Sequence, residues 1–197
     1  MGFLPSGKEL WDTWKSKNSA SQLRTSMNSF NDQSNWSSIG PTDFLNRSTS
    51  YLNLGRVNCV TPDPVNPNIV YVGTPSGGIW KSEDGGLTYV ALSDNLPQIG
   101  VSSIVIDYTN SNIIYIATGD DDAGDSYSVG IWKSTNAGLN WEQTGMNPNN
   151  SPTRIYELEM HESNPGIIWA ATNNGVYKTL DSGINWNQSQ TGAFQGV

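Results

Sequence analysis

The chain has 197 residues, and 18 acidic against 10 basic side chains give it a formal net charge of -8. Such a surface argues against nucleic-acid binding, because contacts to phosphates depend on lysine and arginine. No apolar run of about 18 residues is present, so no segment is expected to span a membrane. With a single cysteine, Cys59, an internal disulfide is excluded, and this side chain is expected to be a small buried hydrophobe.

The N-terminal segment predicts a short helix followed by a Ser- and Asn-rich linker. Ser6 and Glu9 have the spacing of a capping box, and Trp11 and Trp14 follow at helical spacing. These signals predict a helix over residues 8–17. The two tryptophans either pack against the rest of the protein, which is the simpler interpretation, or dock a partner.

After the linker comes a segment, Asn35–Gly40, that is similar to two later parts of the chain, residues 140–145 and 185–189. Each later copy follows three predicted strands, and the first copy follows none. Asn35–Gly40 is therefore predicted to be a single strand whose neighbours come from elsewhere in the fold.

A nine-residue pattern, Lys-[Ser/Thr]-x-[Asp/Asn]-x-Gly-[Leu/Ile]-[Thr/Asn]-[Trp/Tyr], occurs at residues 81–89, 133–141 and 178–186. The copies begin 52 and then 45 residues apart, a spacing that suits one four-stranded propeller blade per copy. Internal repetition of this kind constrains the architecture before any single residue is interpreted.

Two short runs rich in β-branched and aromatic residues precede each copy of the pattern, and turn-forming residues separate the runs. The first runs are residues 56–60, 103–107 and 156–160, and the second runs are residues 68–74, 112–118 and 166–172. Each blade is therefore predicted to contain strands A to D in chain order. The repeated pattern forms the turn between strands C and D.

The residues of the pattern favour a structural turn over a catalytic site. Its hydroxyl and its carbonyl or carboxylate can accept hydrogen bonds from backbone N–H groups, and its glycine suits a positive φ. The final ring can be buried between blades. A catalytic carboxylate would not recur in every blade and be replaceable by Asn. The structural residues are Ser82, Asp84, Gly86 and Tyr89, then Ser134, Asn136, Gly138 and Trp141, then Thr179, Asp181, Gly183 and Trp186.

These repeats resemble Asp-box repeats, also called bacterial neuraminidase repeats, of sialidases, sortilin-type receptors and xyloglucan-degrading hydrolases. The resemblance covers residues 36–195, and the segments Gly77–Ser82 and Thr61–Pro64 are most similar to secreted bacterial sortilin-like or xyloglucanase-like propellers. It implies an all-β propeller of four-stranded antiparallel blades, with a short N-terminal helix, in an extracytoplasmic bacterial protein.

Three blades would not close a ring, because propellers contain about 4 to 8 blades. The resemblance therefore implies the N-terminal part of a longer protein, with the remaining blades following Val197. The expected divisions are helix and linker at 1–34, a closing outer strand and connection at 35–54, and blades at 55–99, 100–152 and 153–197.

The loop between strands B and C of the second blade, Gly119–Gly130, is much longer than its counterparts in the other blades. The B–C and D–A loops share one face, where ligand sites of such propellers usually lie. The candidate ligand-binding residues in the loop are Asp120, Asp121, Asp122, Asp125 and Tyr127. Tyr127 either stacks on a sugar or covers the base of the loop.

Clustered carboxylates repel one another unless water or a cation intervenes, and their oxygens suit Ca²⁺. Three interpretations stay open: a Ca²⁺ site at Asp120, Asp122 and Asp125, a substrate or catalytic role, or a solvated acidic loop. No other cofactor is expected.

A glycoside hydrolase needs two carboxylates across a cleft, one acid and one base or nucleophile. The similar segment of xyloglucan-degrading enzymes reads Thr-Asp-x-Gly-Gly, whereas residues 74–78 place Pro75 where the acid stands. A sialidase needs an arginine triad. Arg56 and Arg154, at the starts of two A strands, are candidate ligand-binding residues that either point into the channel or pair with a neighbouring blade.

Two functions follow from these observations. The favoured one is a non-catalytic, sortilin-like propeller that recognises a polysaccharide, peptide or protein through its B–C and D–A loops. The alternative is the N-terminal part of a xyloglucanase- or sialidase-like hydrolase, with catalytic carboxylates partly in further blades.

Overall fold

The computed structural model describes residues 6–21, 56–97, 100–120, 126–150 and 152–192, with helix side chains described to Ser16. These residues form one helix, α1 (Gly7–Ser21), and three four-stranded sheets. Among them, no helix has the length and apolar character needed to cross a bilayer. The predicted closing strand within residues 35–54 lies outside the described residues.

Each sheet is antiparallel, with its strands in chain order. Blade 1 contains β1 (Cys59–Pro62), β2 (Val70–Thr74), β3 (Gly78–Ser82) and β4 (Val90–Ala91). Blade 2 contains β5 (Val101–Ile106), β6 (Ile114–Thr118), β7 (Ile131–Ser134) and β8 (Glu142–Gln143). Blade 3 contains β9 (Ile155–Met160), β10 (Ile168–Thr172), β11 (Gly175–Thr179) and β12 (Asn187–Thr191). The predicted all-β propeller fold, with four-stranded antiparallel blades and a short helix, is confirmed.

Blade 2 lies between the other two blades and is buried on both faces. Because successive side chains of a strand point to opposite faces, Ile114 and Ile116 of β6 join the core shared with blade 1. Tyr115 and Ala117 join the core shared with blade 3. This two-sided burial explains why β6 is apolar from Ile114 to Ala117.

A tyrosine of strand B connects blade 1 to blade 2, and another connects blade 2 to blade 3. The Tyr71 hydroxyl of blade 1 donates to the Ala137 carbonyl of blade 2 at 3.4 Å, and the Tyr115 hydroxyl of blade 2 donates to the Ser182 carbonyl of blade 3 at 3.1 Å. In both cases the lysine that opens the repeated pattern lies over the tyrosine ring. We refer to this arrangement as the inter-blade tyrosine contact.

The aromatic residues that end the repeated pattern differ in burial. Trp141 donates its indole N–H to the Leu92 carbonyl of blade 1 at 2.9 Å, and Trp186 packs on the core between blades 2 and 3. Tyr89 is 41% exposed, since no described blade precedes blade 1. The predicted burial between blades therefore does not apply to Tyr89. Each D strand begins one residue after its aromatic, at Val90, Glu142 or Asn187.

Helix α1 packs on blades 1 and 2. The Ser6 and Glu9 side chains form the predicted capping box, with the Ser6 N–H donating to the Glu9 carboxylate at 2.7 Å. Trp11 is buried in the core between the two blades, and the Trp14 indole N–H donates to the Asn95 carbonyl at 3.2 Å. The interpretation that these tryptophans pack on the protein itself is confirmed.

Two elements have bounds in the structure that differ from those predicted. The helix extends to Ser21 rather than ending at residue 17, and β1 begins at Cys59 rather than at Arg56. The Cys59 side chain is half buried and packs against the core of blades 1 and 2.

Candidate functional site on the loop face

Hydrogen bonds between turns divide the propeller into two faces. The N–H groups of Gly85, Ala137 and Ser182, in the three C–D turns, donate to carbonyls of the A–B turns of their own blades. The turn face therefore contains the A–B and C–D turns. On the opposite side, Gly119 of the B–C loop in blade 2 donates to the Gly100 carbonyl at 2.9 Å. The B–C and D–A loops form this second face, the loop face.

On the turn face, the oxygen atoms of the repeated pattern are occupied by the turn itself. In blade 1 the Ser82 hydroxyl accepts from the Gly86 N–H at 2.8 Å and donates to Asp84 at 2.8 Å. The Asp84 carboxylate also accepts from the hydroxyl and backbone N–H of Thr88 and the N–H of Leu87. These donors, first of all the two groups of Thr88, lower the pKa of Asp84 to about 2.

The same contacts recur in the other blades with different side chains. Asn136 Oδ1 accepts from the Asn140 N–H at 2.8 Å, as Asp181 Oδ1 does from the Asn185 N–H at 2.8 Å. The backbone N–H and side-chain amide of Asn185, followed by the Thr179 hydroxyl, lower the pKa of Asp181. Since a neutral amide takes the carboxylate's place in blade 2, the turn needs an oxygen acceptor and not a charge.

On the loop face, Arg56 and Asp120 form an ion pair between blades 1 and 2. Arg56 precedes β1, and Asp120 follows β6. The Asp120 side chain is 2% exposed and the Arg56 side chain 38% exposed. Of the two alternatives for Arg56, the structure shows the contact with a neighbouring blade.

The base of the long B–C loop in blade 2 is tightly hydrogen-bonded. The Thr118 hydroxyl donates to the Gly130 carbonyl at 2.7 Å and accepts from the Val129 N–H at 3.0 Å. Ser128 and Val129 are buried, whereas Tyr127 is half buried. The loop thus has a hydrogen-bonded, buried base, and Tyr127 is partly accessible beside it.

The remaining acidic residues of this loop, Asp121, Asp122 and Asp125, lie outside the described residues. The proposed Ca²⁺ site therefore rests on Asp120 alone among the described residues. Within the described ranges, no cluster of three or more His, Cys, Asp or Glu side chains could hold a metal.

Arg154 lies on the same face, immediately before β9. Its backbone N–H donates to Asn173 Oδ1 at 3.1 Å, and its carbonyl accepts from the Asn173 N–H at 3.2 Å. The Ser128 N–H donates to the Thr153 carbonyl at 2.9 Å, which brings the long loop beside the start of β9. Arg154 is half buried and forms no ion pair with the described residues. The fold thus brings Arg154 close to the segment that contains Tyr127.

The B–C turn of blade 1 carries no acid. The Thr74 hydroxyl accepts from the Gly77 N–H at 2.9 Å and donates to the Gly78 carbonyl at 3.1 Å, which closes the turn around Pro75. The Trp80 indole N–H donates to the Gly77 carbonyl at 2.7 Å. This turn has no carboxyl side chain that could act as a general acid.

Helix α1 covers part of the loop face, a position that the sequence did not predict. Gly7 approaches the Ser128 carbonyl so closely that a Cβ atom would not fit, and Trp14 bonds to Asn95 in the D–A loop between blades 1 and 2. The spacing of Trp11 and Trp14 predicted an apolar helical stripe, but spacing alone cannot identify the surface that buries it.

No family model matches the chain. A xyloglucanase of Hypocrea jecorina (strain QM6a) is 31% identical over 103 residues, which cover 40% of this chain and 12% of that protein. The structure is similar to that of an ancestral GH74 enzyme, with 27% identity and a TM-score of 0.59, over 68% of this chain and 18% of that one. It is also similar to YCF48 bound to D1 peptide, with 17% identity and a TM-score of 0.51, over 72% and 44% of the two chains.

The fold and these similarities define the chain as a β-propeller protein whose blades resemble those of GH74 enzymes. The chain spans only 12% of the xyloglucanase and 18% of the ancestral enzyme.

Proposed function

We propose that this chain belongs to a non-catalytic, sortilin-like propeller that binds a ligand through its loop face outside the cytoplasm. A polysaccharide is the ligand class that we favour over a peptide or protein. The main observation behind the proposal is the Arg56–Asp120 ion pair. It engages the one buried carboxylate described on that face.

A catalytic carboxylate must reach the substrate and exchange a proton with it or attack it. Asp120 is almost fully buried and is held against a guanidinium, so its described contacts fit a structural link between blades. Pro75 leaves the corresponding turn of blade 1 without an acid. Of these two B–C connections, that of blade 2 thus has its described carboxylate engaged in an ion pair and that of blade 1 supplies none.

The accessible groups on this face suit the recognition of hydroxyl-rich ligands. Arg154 and the Asn173 and Asn174 side chains offer hydrogen-bond donors and acceptors, and Tyr127 offers a ring. Asp121, Asp122 and Asp125 could add oxygen ligands for Ca²⁺ or sugar hydroxyls. Similarity to the Hypocrea jecorina xyloglucanase supports a polysaccharide as the ligand.

The same similarity also supports a second function, in which the chain is the N-terminal part of a glycoside hydrolase. In this case the acid and base would lie partly in other blades, and Asp120 would contribute indirectly. Hydrolysis of a polysaccharide by the whole protein would support this second function.

Binding should be measured by calorimetry against xyloglucan oligosaccharides and a panel of other glycans, with release of reducing sugars followed in parallel. Tyr127→Ala and Arg154→Ala should each weaken binding about fivefold, since each removes a contact worth roughly 1 kcal/mol. Glu162→Ala, an exposed change on the turn face, serves as the control and should leave affinity unchanged.

Sugar release that is lost in Asp120→Asn, while the variant keeps its melting temperature, would refute a non-catalytic role. If a glycan binds both loop-face variants as tightly as it binds the unmodified protein, the ligand site lies elsewhere.

A further inference from the structure

Helix α1 is attached to the loop face through one narrow stripe of residues. Gly7, Leu10, Trp11 and Trp14 are buried or half buried, and they follow the i, i+3, i+4, i+7 spacing of a single helix face. Every other described side chain of the helix is exposed. The stripe reaches from the base of the long B–C loop, at Gly7, to the D–A loop, where Trp14 donates to the Asn95 carbonyl. The propeller therefore holds the helix from one side only.

The docked helix covers a donor that lacks an acceptor. Trp11 and Trp14 both meet Trp132 of β7 edge-on, and Trp132 is 4% exposed. The Trp132 indole N–H has no hydrogen-bond partner among the described residues. Burial of the apolar rings favours docking, but burial of an unpaired donor opposes it, because water would pair with that donor if the helix were absent. Docking of α1 is therefore weaker than the burial of its tryptophans alone implies.

Helix α1 also depends on the propeller for its structure. It has 15 residues, and an isolated helix of about 12–15 residues is only marginally stable in water. Its last turn has no basic side chain that would stabilise the negative end of the helix dipole. Docking and helix formation are thus coupled, so the exchange rate of the helix amides measures the docked fraction.

The first turn of α1 lies beside the ring that the proposed ligand site uses. Gly7 meets the Ser128 carbonyl, and Ser128 directly follows Tyr127. We propose that α1 and a polysaccharide compete for this part of the loop face, so that the ligand displaces the helix and the docked helix weakens ligand binding. This regulation rests on the proposed function, because it acts on the same site.

The competition follows from the short distance between the two contacts. Consecutive Cα atoms are about 3.8 Å apart, which is less than the width of a sugar ring, so a polysaccharide stacked on Tyr127 extends over the position of Gly7. Only the molecules without a docked helix then bind the ligand. The apparent dissociation constant is the intrinsic constant divided by the fraction of such molecules, so docking that is about tenfold weaker raises the apparent affinity by up to about tenfold.

Gly7→Ala in the full chain tests the competition. The added Cβ would overlap the Ser128 carbonyl oxygen, so the helix cannot keep its docked position. The substitution does not weaken the helix itself, because alanine has a higher helix propensity than glycine. Thr13→Ala is the matched control, since it also raises helix propensity but changes an exposed position of the same helix.

Hydrogen exchange and calorimetry with xyloglucan oligosaccharides give the two measurements. In Gly7→Ala the amides of α1 should exchange about tenfold faster without ligand, and the oligosaccharide should bind up to about tenfold more tightly. Thr13→Ala should change neither quantity. In the unmodified protein, saturating oligosaccharide should speed exchange in α1 while the amides of β6 stay protected.

Trp14→Phe is a second, milder variant. It keeps an aromatic ring and removes the hydrogen bond to the Asn95 carbonyl, so both quantities should change in the same direction as in Gly7→Ala, by about fivefold. If Gly7→Ala also loses protection of the β6 amides, Trp14→Phe provides the comparison with the blades intact.

Three results would overturn the competition. If α1 exchanges faster in the variants but the oligosaccharide binds them no more tightly than the unmodified protein, the helix does not compete, and the proposed function stands. Weaker binding by the variants would make α1 a part of the site instead of a competitor. If no glycan binds the unmodified protein or any variant, the proposed function is wrong and the competition is wrong with it.

Discussion

The turn face and the loop face are built from the same twelve strands but follow different rules. On the turn face the three C–D turns repeat one hydrogen-bond pattern, even where Asn136 replaces an aspartate. On the loop face the B–C connections differ from blade to blade in length and side chains. Among the described residues, only the connection of blade 2 contains a buried aspartate, Asp120, which pairs with Arg56. The uniform face maintains the blade stack, and the variable face is where selection could create a binding site.

The strongest test of this contrast is a glycine substitution on the turn face. Gly138 has φ of 90° and lies against Leu92 of blade 1. Gly138→Ala should lower the free energy of unfolding by about 1–3 kcal/mol, because a Cβ is strained in this conformation. Urea denaturation followed by tryptophan fluorescence measures the change.

Gly85→Ala is its control. The equivalent residue of blade 2 is Ala137, with a similar φ, and only Asn68 lies near the added Cβ. Its effect should stay within about 1 kcal/mol. If Gly85→Ala and Gly138→Ala lower the free energy of unfolding equally, the two glycine positions of the repeat have the same conformational requirement and the prediction is wrong.

A smaller effect is expected from the inter-blade tyrosine contacts. Tyr115→Phe removes the 3.1 Å hydrogen bond to the Ser182 carbonyl and should cost about 0.5–1.5 kcal/mol in the same measurement. Tyr71→Phe, with a 3.4 Å bond, should cost less. A reversed order would mean that ring packing, rather than the hydroxyl, connects the blades.

The smallest effect concerns the charge in the turn of blade 1. Folding lowers the pKa of Asp84 to about 2 from an ordinary value of 3.8. The ionised carboxylate therefore stabilises the folded state fully above pH about 4, and this contribution disappears as the pH falls towards 2. Asp84→Asn should remove it, as an Asn is already accepted in blade 2.

Melting temperatures of the protein and of Asp84→Asn, measured between pH 6 and pH 2, should converge at the acid end. If the two melting temperatures differ by the same amount at every pH from 6 to 2, the effect of the substitution comes from the geometry of the turn and not from ionisation of Asp84.

The architecture could be predicted from the sequence because it repeats. The spacing of the three patterns and the β-branched runs before them predicted twelve strands, and the twelve strands are present. The bounds of the D strands could not be predicted, since β4 and β8 have two residues each and are set by pairing with the neighbouring strand.

The candidate site was predictable only in part. The unusual length of the Gly119–Gly130 loop identified a place that differs from the other blades. Neither the burial of Asp120 nor its pairing with Arg56 could be read from the chain, because the two residues are 64 positions apart and meet only when blades 1 and 2 pack. The surface on which α1 packs could not be predicted either, because its contacts with Asn95 and Ser128 also join residues that are distant in sequence.

The packing of α1 also gives the protein an optical signature. Trp11 and Trp14 stack with ring centres 5.0 Å apart, and both meet Trp132 edge-on at 5.9 and 6.2 Å. Indoles at such distances couple their electronic transitions, so the trio should produce a paired positive and negative band in the circular dichroism spectrum. That signal vanishes if the helix leaves the surface, and it therefore reports on a single docking event in solution without any added label.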